Sequence, residues 1–216
     1  FVAGCTRSEL MVIMVGGFAN IASGVLGLYT YWLDEFIPNV GFRDSNGVHV
    51  QNPIRPVVQD LDTLPFPDVD VFYKYPFLSK KRVMQVHVSR GCQNSCTYCS
   101  VGLMKKDWVS GRRGEKFNRQ KSVDYVCEEM NDIVARYPGF RMVNFGDAAL
   151  NMERGWVQEF AEKWPERVGL PFACNVNINH LNEEDISALK RSGCVSVQFG
   201  LESGSERVRV EVYRKG

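Results

Sequence analysis

From residue 82 onward, strand-like runs alternate with stretches of helical periodicity, and few folds accommodate that alternation. The run "RVMQVHV" (82–88) has strand composition, while "SVDYVCEEMNDIVARY" (122–137) sets Val123, Val126, Met130, Ile133 and Val134 at helical spacing behind Ser122 as N-cap. Strands are predicted again over 140–146, 170–178 and 194–200, with helices from about 153 to 164 and over 182–193. The last helix has Asn182 as cap, acids in its first turn, bases in its last and Gly193 as its stop. Strand, helix, strand, helix in this order is the pattern of right-handed parallel units. The expected fold class is therefore α/β, a partial parallel (β/α) barrel of about four strand-helix units, with its chemistry on the loops after the strand carboxyl ends.

Upstream the pattern differs. Pro53, Pro56, Pro65, Pro67 and Pro76 preclude a continuous helix over 52–77, which reads as an extended, surface-following connector. Before it, 11–33 is a 23-residue run without a charge. Its length suits a membrane span, but its glycines, Asn20, Ser23 and Thr30 and the lack of flanking basic clusters favour buried core segments. The expected organisation is an N-terminal appendage over 1–51, a connector over 52–80 and a core over 81–216. With Phe1 first and the pattern ending after a fourth strand, the chain reads as a fragment of a longer protein.

With 26 basic and 25 acidic residues there is no global electrostatic signal for nucleic acid or an anionic membrane surface. Seven unevenly spaced cysteines and no signal-peptide pattern argue against a secreted disulfide framework and place the chain in a reducing cytoplasm. The stretch 105–121 is strongly basic and reads as a solvated loop that could meet an anionic substrate.

The chemistry is concentrated in "RGCQNSCTYCS" (90–100), just beyond the first core strand. Two cysteine pairs would suggest a closed structural zinc site, but the next cysteine, Cys127, falls on the following predicted helix. Three thiolates can instead hold three irons of a 4Fe-4S cluster and leave the fourth iron open to a ligand. Gly91 allows the chain to turn there, and Tyr98 offers an aromatic face or a backbone contact to a planar ligand. Cys5, Cys127, Cys174 and Cys194 read as small buried hydrophobes, and His87 as a packed or surface residue.

The spacing C-x-x-x-C-x-aromatic-C in "CQNSCTYC", after the first strand of a parallel array, resembles the radical S-adenosylmethionine (SAM) superfamily. The resemblance implies that Cys92, Cys96 and Cys99 ligate a 4Fe-4S cluster and that SAM chelates the open iron. Reductive cleavage of SAM would then yield a 5'-deoxyadenosyl radical. Gly146 and Asp147 of "NFGDAALN" (144–151) match the place where relatives meet the SAM amino group, although Ala148 stands where some carry a second acid. Glu202 and Ser203 of "FGLESGSERVR" (199–209) match a segment that approaches the SAM ribose or methionine, with Gly200 and Gly204 allowing close approach. Asn175 and Asn177 are candidates by position at the third strand's end.

Over 52–216 the chain is similar to the class with an N-terminal cobalamin-binding domain, which implies that 1–51 is the remnant or C-terminal part of such a domain and that cobalamin is a further cofactor. The Asp-x-His-x-x-Gly cobalamin signature does not occur in the 216 residues, so cobalamin rests on the resemblance. A small-molecule substrate and an electron donor such as flavodoxin or ferredoxin are implied with it, for methyl transfer or rearrangement. Two alternatives stand beside this: a radical SAM enzyme without cobalamin, such as a methylthiotransferase, and a non-catalytic iron-sulfur or zinc protein.

Overall fold

The structure is a computed structural model and describes residues 40–215 apart from 45, 54 and 110–114. The charge-free run 11–33 and Cys5 lie outside the described residues. Among the described residues no helix is long and apolar enough to cross a membrane. The chain divides into two compact units, one ending at Val57 and one beginning at Val58.

In the first unit, β1 (Gly41–Arg43) pairs antiparallel with β2 (His49–Gln51), with Phe42 opposite Val50. The turn between them is organised by Asp44, whose Oδ1 accepts from the N–H groups of Asn46 (2.9 Å) and Val48 (2.8 Å).

The second unit opens within the proline-rich segment, which is not uniformly extended as the sequence suggested. It contains a 3-10 turn at Leu61–Thr63 and two single-turn helices, α1 (Asp70–Tyr73) and α2 (Pro76–Ser79). Proline at the first position of α2 costs no hydrogen bond, because that N–H has no helical partner anyway. The segment is laced to the domain behind it. Asp62 accepts from the N–H of Ser122 (3.0 Å), Tyr125 donates to the Leu64 carbonyl (2.5 Å), and Asp70 accepts from Arg136 and Tyr137 (2.7 Å each).

Next come β3 (Val83–Val86), β4 (Ser89–Arg90), α3 (Ser100–Val109), β5 (Arg119–Gln120), α4 (Val123–Arg136), β6 (Met142–Phe145), α5 (Trp156–Arg167), β7 (Phe172–Asn175), α6 (Glu183–Arg191) and β8 (Cys194–Gln198). Strands β3, β6, β7 and β8 lie side by side in that order, all parallel, as an open four-stranded sheet of partial-barrel type. The predicted caps are present: Ser122 Oγ accepts from Tyr125 N (3.1 Å), and Asn182 forms a capping box with Asp185. Helix α5 runs past the predicted stop at Trp164 and includes Pro165, which removes one helical donor, the bond to the Ala161 carbonyl, close to the helix end. The basic stretch 105–121 is not simply a loop, since it begins in α3 and ends in β5, which pairs antiparallel with β4.

The two faces of the sheet are chemically opposite. Met84, Val86, Val143, Phe145, Phe172 and Cys174 are buried against α4, α5 and α6, where Trp156, Phe160 and Trp164 stack at successive helical turns with ring centroids 5.1 and 4.7 Å apart. The alternate residues face the other way. Register places Gln85, Asn144, Ala173 and Ser196 in one row, with the Asn144 amide donating to Gln85 (2.9 Å). His87, Gly146, Asn175 and Gln198 continue that face toward the carboxyl ends. A sheet with one apolar face and one face of carboxamides buries only the first and leaves the second for polar ligands.

Candidate active site

The cysteine loop leaves β4 through Gly91, at φ +96°, where an added Cβ would lie 2.5 Å from the Phe117 carbonyl oxygen. Only glycine fits that backbone without displacing main chain. Cys92 and Cys99 are half-buried and Cys96 is buried. The loop winds straight into α3: Cys99 N–H donates to the Cys96 carbonyl (3.2 Å), and a Cβ at Gly102 would approach that same oxygen to 3.0 Å. At its far side, Thr97 is tied to the C-terminal segment through its N–H to the Tyr213 carbonyl (3.0 Å) and its hydroxyl to the Val212 carbonyl (2.8 Å).

Beside this loop, at the carboxyl ends of β6, β7 and β8, lies a cavity of about 420 Å³. Cys92, Gln93, Ala148, Asn177, Gly200 and Arg209 are among its lining residues. The site expected at the strand ends is thus where the fold places a cavity.

The sequence-predicted residues divide around it. Cys92 and Asn177 line the cavity directly. Gly146 sits under the His87 ring: a Cβ there would lie 2.8 Å from His87 Cε1, so the glycine makes room for an exposed imidazole on the polar face. Asp147 is buried, and its carboxylate accepts from Val88 N (3.0 and 3.1 Å), Ser89 N (2.6 Å) and Ser89 Oγ (2.5 Å). Its own carbonyl accepts from the Asn175 amide (2.8 Å). Asp147 therefore locks the turn from β3 into β4, from which the cysteine loop springs. Asp147→Ala is expected to lower stability by about 2–3 kcal/mol, because buried donors lose their acceptor. Urea unfolding measures this, and a loss under about 0.5 kcal/mol would show that the carboxylate does not hold the turn.

Tyr98, Glu202 and Ser203 do not line the cavity. Tyr98 meets Tyr213 edge-on at 5.0 Å; partial burial, then the neighbouring Cys96 and Glu202, push its phenol above the usual value. Glu202, at φ +64°, is paired with Lys215 Nζ (2.9 Å), which holds its carboxyl below the ordinary range. Ser203 Oγ accepts from Ser205 N (3.1 Å) in the following turn. A Cβ on Gly204 would meet nothing within 4 Å, so the close approach expected there is not made by protein atoms.

Sequence reasoning missed Gln93 and Arg209 in this lining and Asn151 bonded behind Asn177, since single polar residues in loops carry no periodic signal. It also missed that Cys174 and Cys194 face each other across β7 and β8 at 4.0 Å, where the contact with Cys174 holds the Cys194 thiol down to about 7.

Among the described residues no three His, Cys, Asp or Glu side chains converge on a single point as ligands of one metal ion. A cluster makes a different demand, because each thiolate takes its own iron. Cys92, Cys96 and Cys99 lie on one loop between the glycines at 91 and 102, and of the three Cys92 opens on the cavity.

An open parallel α/β sheet with a three-cysteine loop at its carboxyl rim defines a class of cofactor-binding partial barrels. Residues 86–216 match the radical SAM superfamily, and the chain belongs to that superfamily. It is 29% identical over 178 residues, 80% of this chain and 36% of the relative, to an uncharacterized methyltransferase of Pyrococcus horikoshii. It is 28% identical over 176 residues, 76% of this chain and 31% of the relative, to the cytidylyl-2-hydroxyethylphosphonate methyltransferase of Streptomyces wedmorensis. A threonylcarbamoyladenosine tRNA methylthiotransferase of Thermotoga maritima is 25% identical over 134 residues, 60% of this chain and 29% of the relative. The chain thus spans about a third of the length of these curated relatives.

Proposed function

We propose that this chain carries the cofactor-binding part of a radical SAM enzyme of methyltransferase type. The observation that carries the reading is the cysteine loop's place: Cys92 lines a cavity bounded by the carboxyl ends of three parallel strands. Cys92, Cys96 and Cys99 would hold a 4Fe-4S cluster, and the cavity would take SAM. When bound, the cluster supplies the electron that cleaves SAM to methionine and a 5'-deoxyadenosyl radical, which begins the chemistry on substrate.

The protein's own part is placement and exclusion. Asp147 and Ser89 fix the stem of the cysteine loop, Thr97 fixes its far side, and Gly200 makes room for the Glu202–Lys215 pair, with which an added Cβ would collide. Ala148 presents a neutral methyl to the cavity where some relatives carry an acid. The carboxamides of Gln85, Asn144, Asn175 and Gln198, with His87, give the polar sheet face hydrogen-bonding groups for a small polar substrate. Tyr98, Glu202 and Ser203 support the rim from outside the cavity. In this reading the cofactor set is the cluster, SAM and cobalamin, an electron donor such as flavodoxin or ferredoxin reduces the cluster, the product is a methylated small molecule, and the enzyme works in the cytoplasm. Identity of 28–29% over 76–80% of the chain to two methyltransferases, against 25% over 60% to the methylthiotransferase, favours methyl transfer over methylthiolation.

The test is electron paramagnetic resonance of the anaerobically reconstituted, reduced protein with and without SAM. A 4Fe-4S signal that changes on adding SAM is expected. Zinc in place of iron, or a cluster signal indifferent to SAM, would overturn the reading. Hydroxocobalamin binding separates the cobalamin class from the class without it.

A further inference from the structure

The cysteine loop needs more than its stem to hold a defined place against the cavity, and the structure contains one side chain that ties it to two neighbouring loops at once. Gln93 follows Cys92. Its Nε2 donates to the Met152 carbonyl (2.7 Å) in the loop after β6, and its Oε1 accepts from Asn177 Nδ2 (3.0 Å) in the loop after β7. Lys105 Nζ from α3 reaches the Gln93 carbonyl (3.2 Å). Asn177 is itself immobilised: its N–H donates to Asn151 Oδ1 (2.8 Å), its carbonyl accepts from Asn151 Nδ2 (3.0 Å), and its Oδ1 accepts from Asn179 N (3.1 Å). Asn151 and Asn177 are both buried. Three carboxamides, from residues far apart in sequence, thus form one continuous hydrogen-bonded chain along the cavity rim.

We infer that Gln93 is a positioning residue that clasps the cysteine loop to the β6 and β7 loops and so sets where Cys92 faces the cavity. Asn177, placed at the cavity by the sequence, serves this clasp, since both ends of its carboxamide are already engaged. Side-chain length is decisive: asparagine at 93, one methylene shorter, cannot span both partners. A glutamate would keep the acceptor for Asn177 but set a carboxylate against the Met152 carbonyl. The thiols themselves are untouched by any of these changes, so the clasp acts on cofactor geometry rather than on cluster assembly. This inference rests on the reading of the cavity as a SAM site.

The test compares wild-type protein with Gln93→Leu and Gln93→Asn, each reconstituted anaerobically. Iron and sulfide content is expected to match wild type, SAM affinity by equilibrium dialysis to fall about tenfold, and the SAM-dependent change in the reduced cluster's electron paramagnetic resonance to be diminished. Because the clasp works through Asn177, Gln93→Leu combined with Asn177→Leu is expected to weaken SAM binding no further than either change alone. Unaltered affinity and spectrum in both single variants, or a fall in thermal stability alone, would overturn the inference. Additive losses in the double variant would overturn it as well. If wild type assembles no cluster or binds no SAM, the proposed function fails instead. If Gln93→Leu does not fold, Gln93→Asn, which preserves polarity, decides the matter.

Discussion

In the Cys96→Ala protein, iron and sulfide after anaerobic reconstitution are expected to fall to background, and SAM cleavage with them, by at least about 100-fold. Cys96 is the buried member of the triplet, and its main chain, not its sulfur, accepts the hydrogen bond that starts α3. Removing the sulfur leaves that main-chain bond in place and takes away only the side-chain contact with Tyr98, so circular dichroism should be unchanged. Cys127 supplies the control. It is fully buried on α4 among Val123, Val126 and Met130, where burial pushes its thiol up, as suits a small hydrophobe rather than a ligand. Cys127→Ala should keep its full iron content. Iron retained in Cys96→Ala, or lost in Cys127→Ala, would reassign the ligand set.

The largest expected change in stability lies beneath the site. Lys121 and Glu129 form an ion pair at 2.5 Å with side chains only 6% and 3% exposed, and Lys121 also stands over the Tyr125 ring at 5.1 Å. Lys121 ties this pair to the site: its N–H donates to the Val88 carbonyl (2.8 Å), and its carbonyl accepts from the Trp156 indole (2.8 Å). Lys121→Met should cost about 3–5 kcal/mol, since it leaves the Glu129 charge buried without a partner. Replacing both residues by apolar ones should recover most of that loss. The pH dependence follows from burial, which pushes the Glu129 carboxyl up while Lys121 draws it down. Without Lys121 the native carboxyl rises further above its unfolded value, so the native state binds the proton more tightly. The variant's deficit should shrink as pH falls and the carboxyl protonates, and widen as pH rises. Urea unfolding at pH 5 and pH 8 measures both effects. A loss under about 1 kcal/mol at both values would mean that water reaches the pair.

Much of the fold was legible because its signals are local. Each core strand was marked by its own composition, α4 and α6 by periodicity together with the caps Ser122 and Asn182, and the cysteine loop by spacing alone. What was illegible involved partners distant in the chain. The pairing of β4 with β5 joins two-residue strands too short to carry a pattern. The turns in the proline-rich segment depend on Asp60 as a cap and on contacts with α4.

The same division holds for the site. By itself the sequence determined the superfamily, the order of strands and helices, and the three thiols with their glycine hinge, since these reside in spacing and in residues close along the chain. Only the tertiary structure decided which polar groups face the cavity and which are already engaged. Asp147 meets Val88 from 59 residues away, Gln93 meets Asn177 from 84, and Glu202 is paired with Lys215 of the cavity lining. A side chain's role is set by whether its hydrogen bonds are satisfied within the protein, and that depends on neighbours brought together only by folding.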